Sequence, residues 1–212
     1  MRNQSMKVLL VNGSPHEKGC TYTALKEVEK TLNEEGIETE IFWIGTKPIS
    51  GCIGCGRCRE LNKCVVDDVV NEFVEKAKKA DGFVFGSPVH YASMTGAMTS
   101  FMDMVFYSGG RYFKFKPAAS VVSARRAGTT ATYDQMNKYF GISQMPIISS
   151  RYWNMVHGFT PDDVRQDLEG MQVMRMLGRN MAYYLKCIEA GKEKGIEPPE
   201  NEEKTYMTNF IK

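Results

Sequence analysis

Short apolar segments alternate with longer amphipathic segments along most of the chain, and this alternation constrains the fold more than any other feature. The apolar segments are continuous and are bounded by Gly, Pro, Asn or Ser, which is typical of strands buried on both faces of a parallel sheet. The predicted strands are Lys7–Val11, Glu38–Ile44, Gly82–Gly86, Ala118–Ser123 and Pro146–Ser149. Helical spacing of apolar residues predicts a helix after each strand, the last from Thr160 to about Glu189.

Five repeats of strand and helix predict an α/β domain with a five-stranded parallel sheet and helices on both faces. The connection lengths fit the strand order 2-1-3-4-5. We assign this domain to residues 1–190, with a cysteine-rich loop at 51–64 and a C-terminal tail at 191–212. Ligands bind beyond the carboxyl ends of the strands in such sheets, where this chain has loop 1 (12–20), loop 2 (45–64), loop 3 (87–93) and loop 4 (123–130). We therefore expect these loops to converge on one site.

Charge and hydropathy exclude several classes of partner. The formal net charge is +2, and no run of basic residues exceeds two, so the sequence indicates no nucleic-acid partner. The longest apolar runs are far too short to span a bilayer, and the N-terminus has no cleavage-site pattern of a signal peptide. We therefore predict a cytoplasmic protein with no membrane partner and with reduced thiols.

Loop 1, with the sequence NGSPHEKGCT up to the first helix, has the composition of an anion site. The start of a helix offers free N–H groups and the positive end of the helix dipole. Ser14 and Thr21 add hydroxyl donors, Gly13 and Gly19 permit close approach of the backbone, and His16 adds a proton-dependent charge. The alternative is an ordinary turn between strand and helix, since such turns are also rich in Gly and Ser. Neither the nucleoside-triphosphate motif nor the dinucleotide motif is present.

Four cysteines lie within thirteen residues of loop 2: Cys52, Cys55, Cys58 and Cys64. The spacing C-x2-C-x2-C-x5-C resembles the loops that wrap a cubane iron–sulfur cluster more than the two separated pairs of a structural zinc site. Free thiols without a metal are the second interpretation, and zinc is the third. Two further residues are ambiguous: we predict Cys187 to be a small buried side chain, and His157 to be either a lid over a ligand or a packed histidine.

The motif Gly13-Ser14-Pro15-x-x-x-Gly19-x-Thr21 resembles the phosphate loop of the NADPH-dependent FMN reductase and quinone reductase superfamily, which has a flavodoxin-like fold. His16 and Cys20 depart from it, because Arg and Asn are usual at those two positions. Loops 3 and 4 match the segments that surround the isoalloxazine ring in that family. The resemblance assigns FMN binding to Ser14, His16, Cys20, Thr21, Pro88, Val89, His90, Tyr91, Ser123, Arg125, Arg126 and Gly128.

The cysteine spacing, followed by Val65-Val66-Asp67-Asp68, resembles that of the iron–sulfur flavoproteins. This resemblance implies a 4Fe–4S cluster on the four cysteines, FMN as cofactor and NAD(P)H as cosubstrate. The leading hypothesis is an FMN-dependent oxidoreductase that delivers electrons to a small-molecule acceptor or a redox protein. The flavin carries the chemistry, so no catalytic side chain is assigned. The alternatives are a non-enzymatic electron carrier and a zinc-binding domain on the same scaffold. Members of the family assemble as dimers or tetramers, so a homodimer or homotetramer is expected.

Overall fold

The computed structural model describes residues 5–200 and 203–208. Within them, five parallel strands form one sheet in the order β2-β1-β3-β4-β5, with helices on both faces, which confirms the predicted fold class. The strands are β1 (Lys7–Asn12), β2 (Glu38–Trp43), β3 (Gly82–Pro88), β4 (Ala118–Ala124) and β5 (Met155–His157). The helices are α1 (Cys20–Glu34), α2 (Cys58–Leu61), α3 (Val69–Ala77), α4 (Gly96–Gly109), α5 (Thr129–Ile142), α6 (Pro161–Gln166) and α7 (Leu168–Glu193).

The two faces of the sheet bury two different cores, because successive side chains of a strand point to opposite sides. Leu9 and Val11 of β1 face α3, α4 and α5, where a cluster of phenylalanines fills the layer. Val8 and Leu10 face α1 and α7, and this second layer is mainly aliphatic. Burial on both faces explains why the strands are continuous apolar runs in the sequence.

The fifth strand was predicted at Pro146–Ser149, and that prediction was wrong. Ile147 forms only an isolated bridge with Ala118 of β4. The chain then leaves the sheet and returns as β5, whose Met155–His157 pairs regularly with the end of β4. The apolar pattern of residues 146–149 reflects the burial of Ile148. The position of the strand is instead decided by regular backbone pairing with β4, which occurs at Met155–His157.

The long final helix is also interrupted, at Asp167, between α6 and α7. Thr160 caps α6 in a capping box with Asp163, as the sequence indicates, but Asp167 leaves the helical conformation and caps α7 by accepting from Gly170 N–H at 2.9 Å. The break redirects the chain so that α7 packs on α1 and β5. Cys187, predicted to be buried, is exposed on α7, as is Leu168 at its start.

Among residues 5–200 and 203–208, no helix is both long enough and apolar enough to cross a membrane. Tyr206 of the C-terminal tail is exposed, whereas Phe210 and Ile211, the other large apolar residues near the end of the tail, lie outside the described residues.

Candidate functional site

Loop 1 is folded back on itself by hydrogen bonds from its own side chains. The Asn12 amide donates to the carbonyl oxygen of Glu17 at 2.8 Å and accepts from the Ser14 N–H at 3.1 Å. The Ser14 hydroxyl in turn accepts from the His16 N–H at 3.1 Å. Asn12 and Ser14 are buried, so the loop has a fixed shape before any ligand binds.

The first turn of α1 presents N–H groups towards this loop. Gly19 is its N-cap, and no side chain of the described residues caps the turn. The first intrahelical bond runs from Thr23 N–H to the Gly19 carbonyl at 3.0 Å. The N–H groups of Cys20, Thr21 and Tyr22 therefore point past the end of the helix, where they can bind an anion. This arrangement fits the phosphate of FMN.

Two glycines let loop 1, β3 and α4 approach closely. A Cβ on Gly13 would lie 2.6 Å from Met98 Sδ and 2.9 Å from the Gly86 carbonyl oxygen. A Cβ on Gly86 would lie 2.9 Å from Thr21 Cγ2. The backbone at this crossing therefore leaves no room for a side chain, which places loop 1 directly against the end of β3.

Thr95, which the sequence analysis did not select, joins loop 1 to loop 3. Its N–H donates to Ser87 Oγ at 3.1 Å, and its hydroxyl donates to the Gly13 carbonyl at 3.0 Å. The same hydroxyl accepts from Met98 N–H and so caps α4. The sequence showed Thr95 only as the start of a predicted helix, and its second partner is 82 residues away. Trp43 was missed for the same reason, since its Nε1 donates to the Ser14 carbonyl at 2.8 Å.

Loop 3 ends in a tight turn that projects from the sheet edge. His90 and Ser93 exchange two backbone hydrogen bonds of 2.8 and 3.1 Å around Tyr91 and Ala92, whose φ angles are 52° and 61°. Positive φ at two successive residues with side chains is strained, and such strain persists at functional sites. Tyr91 is fully exposed, so a flat aromatic side chain stands free at the rim of the site.

Loop 4 is packed between loop 1 and loop 3. The Ser123 and Thr21 hydroxyls share a buried hydrogen bond of 2.8 Å, and the Ser123 carbonyl accepts from Val89 N–H at 2.9 Å. Gly128 has φ of 95°, and a Cβ there would lie 2.8 Å from Val89 Cγ1. The carboxyl ends of β1, β3 and β4 are thus tied together by direct contacts.

The predicted FMN-binding residues separate into a buried floor and an exposed rim. Ser14, Thr21 and Ser123 are buried. The structure places these residues in the exposed rim: His16, His90, Tyr91, Arg125 and Arg126. Pro88, Val89 and Gly128 are half-buried between the two groups. The geometry brings all three loops to one edge of the sheet, with cationic side chains only at the rim.

Cys20 does not have the environment of a reactive thiol, and His157 is bonded to Asp167 through its backbone. The Cys20 thiol donates to the Gly158 carbonyl at 3.7 Å, and burial, followed by the charge of Asp163, raises the pKa of this thiol. Cys20 therefore stays protonated at neutral pH and is a weak nucleophile. The backbone N–H of His157 donates to Asp167 Oδ2 at 2.7 Å, while its side chain is exposed at the end of β5.

A cavity of about 500 Å³ lies between loop 2 and α4 and is lined by all four cysteines of loop 2. Its opposite wall is α4, through Asp103, Met104, Tyr107 and Ser108. The Cys58 thiol donates to the Tyr107 carbonyl at 3.5 Å.

The donor set of this cavity fits an iron–sulfur cluster. All four cysteines are free thiols, and three interleaved glycines, Gly51, Gly54 and Gly56, have positive φ and let the loop wrap closely. Among the described residues, no group of three or more His, Cys, Asp or Glu side chains is placed so that it could hold a metal ion. Cys52 and Cys55 are exposed, whereas Cys58 and Cys64 are half-buried.

The strand order, the shaped loops at one sheet edge and the anion-binding helix start define a flavodoxin-like α/β protein. An archaeal flavodoxin superposes with a TM-score of 0.58 at 14% identity, covering 85% of this chain and 99% of that one. The chain belongs to the NADPH-dependent FMN reductase family, which matches residues 6–160. This is a family of flavin-dependent oxidoreductases.

Two relatives carry both flavin and iron–sulfur in their names. An iron–sulfur flavoprotein of Methanocaldococcus jannaschii is 32% identical over 191 residues, covering 86% of this chain and 99% of that protein. An iron–sulfur flavoprotein of Methanosarcina thermophila is 24% identical over 193 residues, covering 89% and 100%.

Proposed function

We propose that this protein is an FMN-dependent oxidoreductase that accepts reducing equivalents from NAD(P)H and delivers them through a 4Fe–4S cluster held by Cys52, Cys55, Cys58 and Cys64. The observation that carries this proposal is the placement of two sites on one helix. Thr95 at the start of α4 contacts loop 1, and Met104 lines the cysteine cavity. Nine residues of helix separate these two by about 14 Å along the axis.

The chain's own residues would bind and orient the flavin. FMN supplies the exchange between two-electron and one-electron transfer when it is bound. The free N–H groups of the first turn of α1, with the Ser14 and Thr21 hydroxyls, would hold the phosphate. Loop 3 would contact the ring through Val89 and Tyr91, and Arg125 at the rim would offset negative charge on the reduced ring.

At the second site, the four cysteines would provide thiolate ligands to the cluster, and Arg59 in the wall of the cavity would offset part of their negative charge. The acceptor beyond the cluster is a small molecule such as a quinone, or a redox protein. We also propose a homodimer or homotetramer in solution. A single species of 24.0 kDa in sedimentation velocity at micromolar concentration would contradict it.

The test is anaerobic purification, with assays for FMN, iron and sulfide, an absorption spectrum and NADPH oxidation with a quinone. We expect one FMN and about four iron atoms per chain, together with NADPH consumption. Cys64→Ser should lose the iron and keep the FMN, and Cys187→Ser, an exposed cysteine outside the cavity, should keep both.

Each other outcome rejects a defined part of the proposal. FMN without iron would reject the cluster and leave a flavin reductase. FMN and iron without NADPH oxidation, with any acceptor, would indicate a non-enzymatic electron carrier. A colourless protein that contains zinc would reject the whole proposal.

A further inference from the structure

A buried amide on α3 is bonded entirely to the chain around the fourth cysteine. Asn71 is 8% exposed, and its Oδ1 accepts from the Cys64 N–H at 2.9 Å. Its Nδ2 donates to the carbonyls of Cys64 and Val66, both at 3.1 Å, and lies 3.3 Å from Asp67 Oδ1. One side chain thus holds both backbone polar groups of Cys64, which fixes the backbone from which that thiol extends.

These bonds are not needed to start α3. Asp68 is the N-cap of that helix, and its side chain already accepts from Val70 N–H at 2.9 Å. An Asn within a helix otherwise lowers helix propensity, because its side chain competes for backbone partners. The bonds of Asn71 therefore stabilise the segment around Cys64 that precedes the helix, rather than the helix itself.

The other thiols of the cavity lack such a tether. Cys52 and Cys55 are exposed on a segment with positive-φ glycines, and the bond from Cys58 to α4 is made by the thiol itself. The cavity therefore has one anchored wall, at Cys64, and one adaptable wall. A metal site needs such preorganisation, because each ligand that must be ordered on binding lowers the affinity.

We propose that Asn71 is a positioning residue that presets Cys64 as the fixed ligand of the cavity, onto which the other three thiols close. This inference rests on the proposed function for the identity of the metal group. The placement of Cys64 can nevertheless be tested without any metal.

The experiment compares Asn71→Leu, which keeps the size and loses the hydrogen bonds, with Asn137→Leu as a matched control. Asn137 is also on a helix, its Oδ1 accepts from Ser120 Oγ at 2.9 Å, and it does not line the cysteine cavity. In the metal-free protein, alkylation of each cysteine is followed by mass spectrometry. We expect Cys64 to react about tenfold faster in Asn71→Leu, while Cys52 and Cys55 keep their wild-type rates. The control should change none of them.

The second readout uses the reconstituted protein. Asn71→Leu should hold several-fold less iron per FMN and lose its remaining iron faster to a chelator, with FMN affinity unchanged. An unchanged Cys64 rate would overturn the inference, as would an equal acceleration of all four cysteines, which indicates general loosening. If Asn71→Leu does not fold, Asn71→Ala is measured in its place. Wild-type protein that takes up no iron would reject the proposed cluster, and the alkylation rates would still decide the role of Asn71.

Discussion

Gly13 of loop 1 has no room for a side chain. Gly13 lies against Met98 and the Gly86 carbonyl, so Gly13→Ala must displace loop 1 from β3. We expect FMN affinity to fall about tenfold or more, which is about 1.4 kcal/mol, because the N–H groups of α1 lose their alignment with the phosphate. Fluorescence titration with FMN measures the change. Gly141→Ala, with no atom within 4 Å of the added Cβ, is the control and should bind FMN as the wild type does.

The buried hydroxyl pair of Thr21 and Ser123 supports a second prediction at this scale. Thr21→Val leaves the Ser123 hydroxyl buried without that partner and should cost about 1–3 kcal/mol of the free energy of unfolding. It should also weaken FMN binding, since the hydroxyl lies at the helix start. Thr31→Val removes a hydroxyl of the same helix that donates to the Glu27 carbonyl. Equal FMN affinity of the two variants in calorimetry would show that Thr21 has no part in binding.

At the scale of elements, the break between α6 and α7 depends on one side chain. Asp167 accepts from Gly170 N–H and from His157 N–H, so it caps α7 and ties it to the end of β5. Asp167→Ala should lower the free energy of unfolding by about 1–2 kcal/mol, measured by urea denaturation. Asp162→Ala, which removes only an exposed pair with Arg165, should change it by no more than about 0.5 kcal/mol. Similar losses in both variants would contradict the assigned role of Asp167.

Element boundaries were predictable where they follow local chemistry. Thr160, at which the sequence predicts the last helix to begin, is the N-cap of α6. The fifth strand was not predictable, because Met155–His157 is short and its pairing with β4 is a long-range contact. The break at Asp167 was missed for a related reason: helical spacing continues through it, and the bond that Asp167 accepts from His157 N–H at the end of β5 forms only in the packed structure.

At the scale of the whole molecule, an ionisable pair links α4 to α5 beside the cysteine cavity. The Tyr139 hydroxyl donates to Asp103 Oδ1 at 2.5 Å. Burial, and then the hydrogen bond to Asp103, raises the pKa of Tyr139 well above its usual value. A raised pKa in the folded state stabilises the fold below the pKa of the unfolded chain, about 10, and this contribution is lost as the pH rises towards the folded pKa.

Stability should therefore fall above about pH 10, because the unfolded chain releases a proton that the folded chain retains. The free energy of unfolding, measured in urea at pH 8 and at pH 11, should fall less in Tyr139→Phe than in the wild type. Tyr206→Phe, at an exposed position, should behave as the wild type. Identical pH dependence in all three proteins would show that Tyr139 does not retain its proton.

The sequence by itself determined the fold class, through the repeated alternation of strands and helices along the chain, and the grouping of the four cysteines, which depends on spacing within a few residues. Only the tertiary structure decided how loops 1, 3 and 4 are joined through Thr95 and through the Thr21–Ser123 pair, and that Asn71 holds Cys64. Those contacts connect residues that lie far apart along the chain or on separate elements. A hydrogen bond between them exists only once the sheet and its helices have packed, so local propensity contains no information about it.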